Sequence, residues 1–337
     1  MEYPSFDKPT AGALRFNTDS SQLEIYTDGQ WISFVANADL PGAGRLVTAA
    51  GQAPSGPAGT NVIEYVQINT TGNAIDFGDL TVARDWCTGT ASNGIRGLWM
   101  GGSGSPQLTI IDYVTISQTG NAIDFGDLND GRSSCGGLGN SIRGVYGGGE
   151  VGGNKKNSLE YVTIAAKGNG VDFGDILQAT ASLIGTCANT TRGIFAGGYT
   201  PTALNVMQYI TIMTLGNSID FGDLTSLSNE LAAGYSNHTR GIFAGGSGDP
   251  NMINMINVAS TGNAAYFGEL SEGGGVSCMG GGCSHTRGIN CAAASPNSNN
   301  SISYITIHTT GNSKDFGDLA ANRSCGGSSS NAHGGIY

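Results

Sequence analysis

The stretch TGNAIDFGDL occurs at residues 71–80 and again, letter for letter, at 119–128. It returns in altered form as KGNGVDFGDI (167–176), LGNSIDFGDL (215–224), TGNAAYFGEL (261–270) and TGNSKDFGDL (310–319). The phenylalanines of these copies are Phe77, Phe125, Phe173, Phe221, Phe267 and Phe316, spaced by 48, 48, 48, 46 and 49 residues. A sustained period of about 40–50 residues marks an array of one supersecondary unit rather than a string of unrelated domains. The copies occupy nearly everything after residue 40, so one unit is built six times.

Composition supports an ordered array. Glycine accounts for 56 of 337 residues, about twice the usual share. The glycines recur in phase with the repeat, which reads as turns and tight packing, not disorder. Net charge is −11 with only 15 Lys and Arg and no basic run, so nucleic acid is not an expected partner. The opening MEYPSFDKPTAG lacks the apolar stretch of a secretory signal, and no apolar run approaches the length of a membrane span. No membrane insertion is expected. Of seven cysteines, Cys87, Cys135, Cys278 and Cys325 follow the repeat's Leu by six to eight residues, in equivalent places. They read as small buried hydrophobes. Cys278 and Cys283 have the wrong spacing for a zinc knuckle.

One repeat spells out four short strands. RGIFAGG (192–198) is an apolar run closed by glycines, VMQYITI (206–212) alternates, TLGN (214–217) is a turn and SIDFGDL (218–224) is again extended. A small-residue segment, LAAGYSNHT (231–239), follows, and RGIFAGG restarts at 240. No segment carries a sustained helical period, so essentially no helix is expected. Four strands per repeat at this period predict the blade of a β-propeller. Strands crowded at the axis need small side chains, which SSCGGLGN (133–140), LAAGYSN (231–237) and SCGGSSSN (324–331) supply. Farther out there is room for Tyr65, Tyr113, Tyr161, Tyr209 and Tyr304, each seven residues before the turn Gly, with Met255 in the fifth repeat.

This order of strands, with diglycines at 101–102, 147–148, 197–198 and 245–246, resembles the Kelch repeat. It departs from that pattern in placing the Phe of DFGD where Kelch has Trp, and in Cys291-Ala292-Ala293 where a diglycine belongs. The near-verbatim copies and the ending NAHGGIY also resemble virion proteins of tailed bacteriophages, notably marine and cyanobacterial ones. The resemblance spans residues 41–337 and implies architecture more firmly than role. GRLVTAAG (44–51) aligns as a second strand without a first, and SCGGSSSN is a first strand without a repeat. The two ends are therefore expected to complete one blade, leaving no exposed edge. The expected fold is all-β: a six-bladed Kelch-like β-propeller over 41–337, preceded by a small N-terminal β-hairpin module with linker over 1–40.

That module, GALRFNTDSSQLEIYTDGQWISF (12–34), has two alternating runs around Asp28-Gly29, a strong hairpin signal. So small a piece cannot bury a core alone. It resembles hairpin modules of phage tail-fibre and other virion proteins. The resemblance implies attachment to other virion proteins and a homo-oligomer, with a trimer expected. Phe16, Tyr26, Asp28, Gly29 and Trp31 are the candidate attachment residues.

Site chemistry is sparse. Asp76 and Asp79 with their counterparts invite a calcium reading. A spacing of three in an extended strand puts them on opposite faces, and the oxygen-rich loop calcium prefers is missing. These aspartates are read instead as caps for backbone N–H groups or partners of the repeated Arg96, Arg143, Arg192, Arg240 and Arg287. DFG lacks the other kinase motifs. His238 and His285 sit in equivalent turns, NHTR and SHTR, and read as surface residues. No nucleophile elbow, HExxH or phosphate loop is present. The expectation is no catalytic residue, no cofactor and no metal.

What recurs in every repeat builds the scaffold, whereas what occurs once carries specificity. The loops between second and third strands differ most: 103–109, 150–158, 199–205, 247–254 and 295–300. Strand alternation puts them on one face with the connections holding Trp86 and Arg132. Trp86, Arg132, Lys155, Lys156, Tyr199, Asp249 and Asn251 are the candidate receptor-binding residues, by stacking and hydrogen bonding. The functional expectation is a virion protein, a fibre tip that binds a host surface glycan or protein. A non-receptor decoration or neck protein is the alternative, and a propeller enzyme acting on polysaccharide is the alternative of another class.

Overall fold

The computed structural model describes residues 9–17, 22–27, 29–33, 44–52, 59–87, 89–104, 107–182, 185–228, 233–271, 280–291 and 299–336. The chain divides into two compact units, Met1–Leu40 and Pro41–Tyr337. Among the described residues every regular element is a β-strand.

Among the described residues the larger unit shows six antiparallel sheets with four main strands each. Sheet 1 is ordered Gly327–Ser330, Arg45–Ala49, Thr60–Gln67, Ile75–Arg84; its first strand comes from the far end of the chain. Sheet 2 runs Gly89–Ser92, Arg96–Met100, Ile110–Thr115, Ile123–Asp127, and sheet 3 runs Gly136–Gly139, Arg143–Gly147, Ser158–Thr163, Val171–Asp175. Sheet 4 comprises Gly185–Ala188, Arg192–Ala196, Thr202–Thr211 and Ile219–Ser228, with Tyr199–Thr200 folded back on its third strand. Sheet 5 is Ala233–Ser236, Arg240–Ala244, Met252–Asn257, Ala265–Glu269; sheet 6 is Gly280–Cys283, Arg287–Cys291, Asn299–Thr306, Lys314–Arg323. This is an all-β, propeller-like arrangement.

The repeated decapeptide is a joint between successive sheets. Its TGN turn meets the FGD of the preceding copy: Gly120 N–H donates to Phe77 O (2.8 Å) and Ala122 N–H to Asp79 O (2.8 Å). In return Asp79 N–H donates to Asn121 Oδ1 (3.1 Å). The same set recurs at each step, and Gly72, Asn73 and Ala74 make it with Phe316 and Asp318 of the last copy. Gly78 has no room for a side chain, because a Cβ there would stand 2.5 Å from Gly120 O. The expected polarity is thus reversed: the Asn of TGN caps the N–H of the Asp, and the Asp carboxylate is not the cap.

A β-bulge explains the spacing within DFGD. Glu64 pairs with Asp76 and Ile63 with Gly78, so Phe77 is the extra residue. The bulge cancels the strict alternation on which the opposite-face argument rested. Phe77 and Leu80, three apart, are both buried, and Asp76 and Asp79 lie opposite Glu64 and Val62, alternate residues of one strand face. The two aspartates therefore share a face. Their side chains do not pair with the repeated arginines, which have another task. Arg96 lies over the Tyr113 ring at 4.7 Å and donates Nη1 to Ile164 O of the next sheet. Arg45, Arg143, Arg192 and Arg287 repeat this over Tyr65, Tyr161, Tyr209 and Tyr304 at 4.4–4.5 Å. Each of these tyrosines also meets its Phe edge-on, at 5.9–6.1 Å.

The apolar cores lie between sheets, not within them. Phe77 and Leu80 of sheet 1 pack with Trp99, Val114 and Ile116 of sheet 2. The same pairing runs along the array, and Phe316 and Leu319 of sheet 6 pack with Leu46, Val66 and Ile68 of sheet 1. Burying one Phe of this kind contributes about 1.5–3 kcal/mol, which is why every repeat keeps it. The first strands use small residues as anticipated. Their hydroxyls bond the neighbouring first strand: Thr90 Oγ1 to Ser328 O (2.8 Å), Thr186 Oγ1 to Gly137 O (2.6 Å) and Ser330 Oγ to Cys283 O (2.9 Å).

Two alignments need correction. The glycines with positive φ in the third repeat are Gly148 and Gly149, not 147–148. Cys325 (φ 57°) occupies the left-handed position of Trp86, Ser134 and Ser182, one residue before that of Cys87. Cys87, Cys135 and Cys325 are buried; Cys278 lies outside the described residues.

The smaller unit is a three-stranded sheet, Leu14–Asn17, Gln22–Thr27 and Gln30–Ser33. One face carries Arg15, bonded to Glu24 (2.6 Å) and stacked 4.2 Å over Trp31, which meets Tyr26 edge-on at 5.2 Å. By register Leu14, Phe16 and Ile25 share the other face, where Leu14 and Phe16 are more than 60% exposed. Gly29 takes φ 80° in the turn; Asp28 lies outside the described residues.

Candidate ligand-binding face

Two sets of loops meet at one end of the sheets. Backbone bridges join Asp85 to Ser103, Ser133 to Glu150, Ala181 to Tyr199 and Gln52 to Ser324. Each bridge ties a loop between second and third strands to the connection entering the same sheet. The repeat-invariant strands thus hold the variable loops side by side.

Lys155, Lys156 and Tyr199 come together in this layer. In sheet 3 the loop forms its own hairpin, Glu150–Val151 with Asn154–Lys155, turning through Gly152 and Gly153. Lys155 Nζ lies 4.7 Å from the centre of the Tyr199 ring, a cation–π contact between adjacent sheets. Lys156 pairs with Asp130 at 3.5 Å, both partly exposed, so the pair contributes little to stability. Tyr199 remains 38% exposed. Trp86 is half-buried in a left-handed conformation (φ 48°), and its carbonyl accepts Ser134 N–H. Asp249 and Asn251 are in the corresponding loop of sheet 5, both half-buried. Among the described residues Asn251 Oδ1 is buried without a hydrogen-bond partner.

Arg132 does not belong to the surface. It is 1% exposed, donates Nη2 to Glu160 Oε1 (2.5 Å) and lies over Tyr146. Loop position suggested exposure, but the guanidinium turns inward to a carboxylate of the next sheet. Arg84 does the same with Asp112 (2.5 Å) and also bonds Gly101 O and Ile110 O. Arg323 of sheet 6 pairs with Glu64 of sheet 1. These three buried ion pairs were missed from sequence, although the sequence holds their signal. Arg appears four residues after the repeat's Leu only where the next repeat has Asp or Glu just before its Tyr. Where that place holds Gln208, Asn254 or Ser303, the arginine is replaced by Thr180, Ser228 or Gly274.

Where the first strands meet there is a small open cavity, lined by Thr90, Ser92, Thr186, Ser236, Ser330 and His333. The final segment reaches sheets 2, 3 and 5: His333 Nε2 meets Ser92 O (2.9 Å), Ser141 N–H donates to Gly335 O and Gly334 N–H to Ser236 O. Gly335 N–H donates to His333 Nδ1 (3.1 Å), so Nε2 carries the proton and the ring is neutral. Burial holds the His333 pKa down to about 4, against a partial rise from the Ser92 carbonyl. His238 is exposed and His285 half-buried, with ring centres 4.8 Å apart. Burial first, then His238 and His308, lower the His285 pKa. Among the described residues no three His, Cys, Asp or Glu side chains are grouped to hold a metal ion.

No family model and no curated protein matches this chain.

Proposed function

We propose that the six sheets are the blades of a closed six-bladed Kelch-like propeller, and that the protein is a non-enzymatic bacteriophage virion component, a fibre tip that binds a host surface receptor. The cores and decapeptide joints between sheet 6 and sheet 1 support the ring. The receptor reading rests on one observation: the loops that differ between repeats gather at one end of an invariant scaffold, tied by the 85–103, 133–150 and 181–199 bridges. Residues 1–40 attach the chain to other virion proteins or to sister copies. The apolar residues Leu14 and Phe16, exposed in the single chain, support an assembly, with three copies expected from the fibre resemblance. Weak single-site affinity would then be raised by multivalency.

The test is binding of the purified chain to host cells, with the 150–158 and 199–205 loops exchanged for those of other repeats. Loss of binding with an unchanged melting temperature is expected. Full binding without these loops would contradict the reading and favour a decoration or neck protein. Turnover of a host polysaccharide, abolished by Asp249→Ala, would replace it with an enzyme.

A further inference from the structure

We infer that the loop face recognises an acidic saccharide, its carboxylate held by Lys155 and Lys156 beside Tyr199. This rests on the reading of that face as receptor-binding and names the ligand class.

The chain carries −11 overall, and the arginines of this end, Arg84, Arg132 and Arg323, are consumed by buried carboxylates. Lys155 and Lys156 are the remaining cations of these loops and the only adjacent basic pair in the chain; Lys156 meets Asp130 only through a partly exposed contact of 3.5 Å, which a ligand can replace. Among the described residues Lys155 has no carboxylate partner; it is held against an aromatic ring instead. A half-buried ammonium on a Tyr face keeps its hydrogen-bond donors for a ligand. The loop is also ordered by its own pairing: in sheet 3 it forms a hairpin whose Gly152 N–H donates to Gln107 Oε1 of the neighbouring loop at 3.4 Å, and in sheet 4 Tyr199–Thr200 folds back on Thr202 and Ala203. The Ser133–Glu150 and Ala181–Tyr199 bridges fix the hairpin and the ring side by side.

The surroundings favour a sugar over a bare anion. Asp130, beside Lys156, and Glu150, opposite Lys155 in the hairpin, are carboxylate acceptors suited to sugar hydroxyls. The lysines and the Tyr199 hydroxyl supply donors, suited to a carboxylate. A phosphate or sulfate ion alone would meet the acceptors as repulsion, whereas a hydroxylated ring bearing one carboxylate satisfies both sets.

The test uses the full chain on an array of matched acidic and neutral glycans, followed by calorimetry with galacturonate oligosaccharides and their methyl esters. Acidic members should be preferred over their neutral counterparts by about tenfold or more, one good charged contact. Lys155→Gln and Lys156→Gln should remove that preference, while Lys167→Gln, in a turn between third and fourth strands, should not. Equal binding of acids and esters, an acid preference that survives both lysine variants, or capture of acidic peptides but not acidic glycans would overturn the inference. Host-cell binding that persists in the lysine variants overturns this inference alone. Failure to bind any glycan or any cell overturns the receptor reading with it.

Discussion

Replacing Asp112 by Asn should be among the most damaging single changes in the larger unit. Arg84 and Asp112 are both 0% exposed at their side chains. Asp112 accepts from Arg84 Nη2, from Thr81 N–H and from Thr81 Oγ1. The amide oxygen can still accept two of these bonds, as Asn254 Oδ1 does from Thr225 N–H and Oγ1, but the change leaves a guanidinium charge buried without a counter-charge. Breaking a buried pair in this way costs about 3–5 kcal/mol. For a unit of this size that is roughly 6–10 °C in melting temperature, at about 2 °C per kcal/mol. The chain itself shows the remedy. Between sheets 4 and 5 the same two places hold Ser228 and Asn254, and Thr225 donates to Asn254 Oδ1 (2.6 Å) as Thr81 does to Asp112. The double variant Arg84→Ser with Asp112→Asn copies that joint. It should be more stable than Asp112→Asn alone by at least about 2 kcal/mol despite the volume lost. Scanning calorimetry of wild type, both singles and the double closes the cycle. A single Asn variant within about 1 kcal/mol of wild type, or a double no better than that single, would refute the assignment of a buried, charge-dependent joint.

Other consequences are as specific. Gly78→Ala should cost about 2–4 kcal/mol, combining backbone strain with the clash on Gly120 O, whereas Gly72→Ala, at φ 153° but with nothing within 4 Å of its Cβ, should cost about 1–2 kcal/mol from backbone strain alone by the same calorimetry. Acid should loosen the C-terminal segment. The folded pKa of His333 is about 4 against an ordinary 6.5, so the unfolded chain binds more protons between these values and stability falls as pH drops through that window. The loss approaches about 3 kcal/mol, and His333→Gln should shrink the difference in melting temperature between pH 7 and pH 4.5; an identical difference would contradict the assignment. On the proposed assembly role of residues 1–40, Leu14→Ser with Phe16→Ser should lower the mass measured by light scattering to that of one chain.

Much of this fold was legible because six copies of one unit print its strand order, its turn and its Phe. What was not legible depends on pairing between copies. The bulge at Phe77 cannot be read from DFGD, since it exists only against Ile63 and Glu64 of the neighbouring strand. Asn121 capping Asp79 spans 42 residues, and a local reading assigned the cap to the wrong partner. Arg132 looked like a loop residue because its partner, Glu160, lies in the next repeat; comparing repeats in pairs would have found it. The loop face was legible in outline from strand alternation, but the contact between Lys155 and Tyr199 depends on a hairpin that no periodicity announces.

The most direct measurement of the functional account is immunogold electron microscopy of intact virus particles, with antibody raised against residues 41–337. The account predicts gold at the tips of fibres. Gold spread over the capsid or gathered at the neck would contradict the fibre-tip assignment, and particles without label, from cells shown to express the protein, would contradict a virion role altogether.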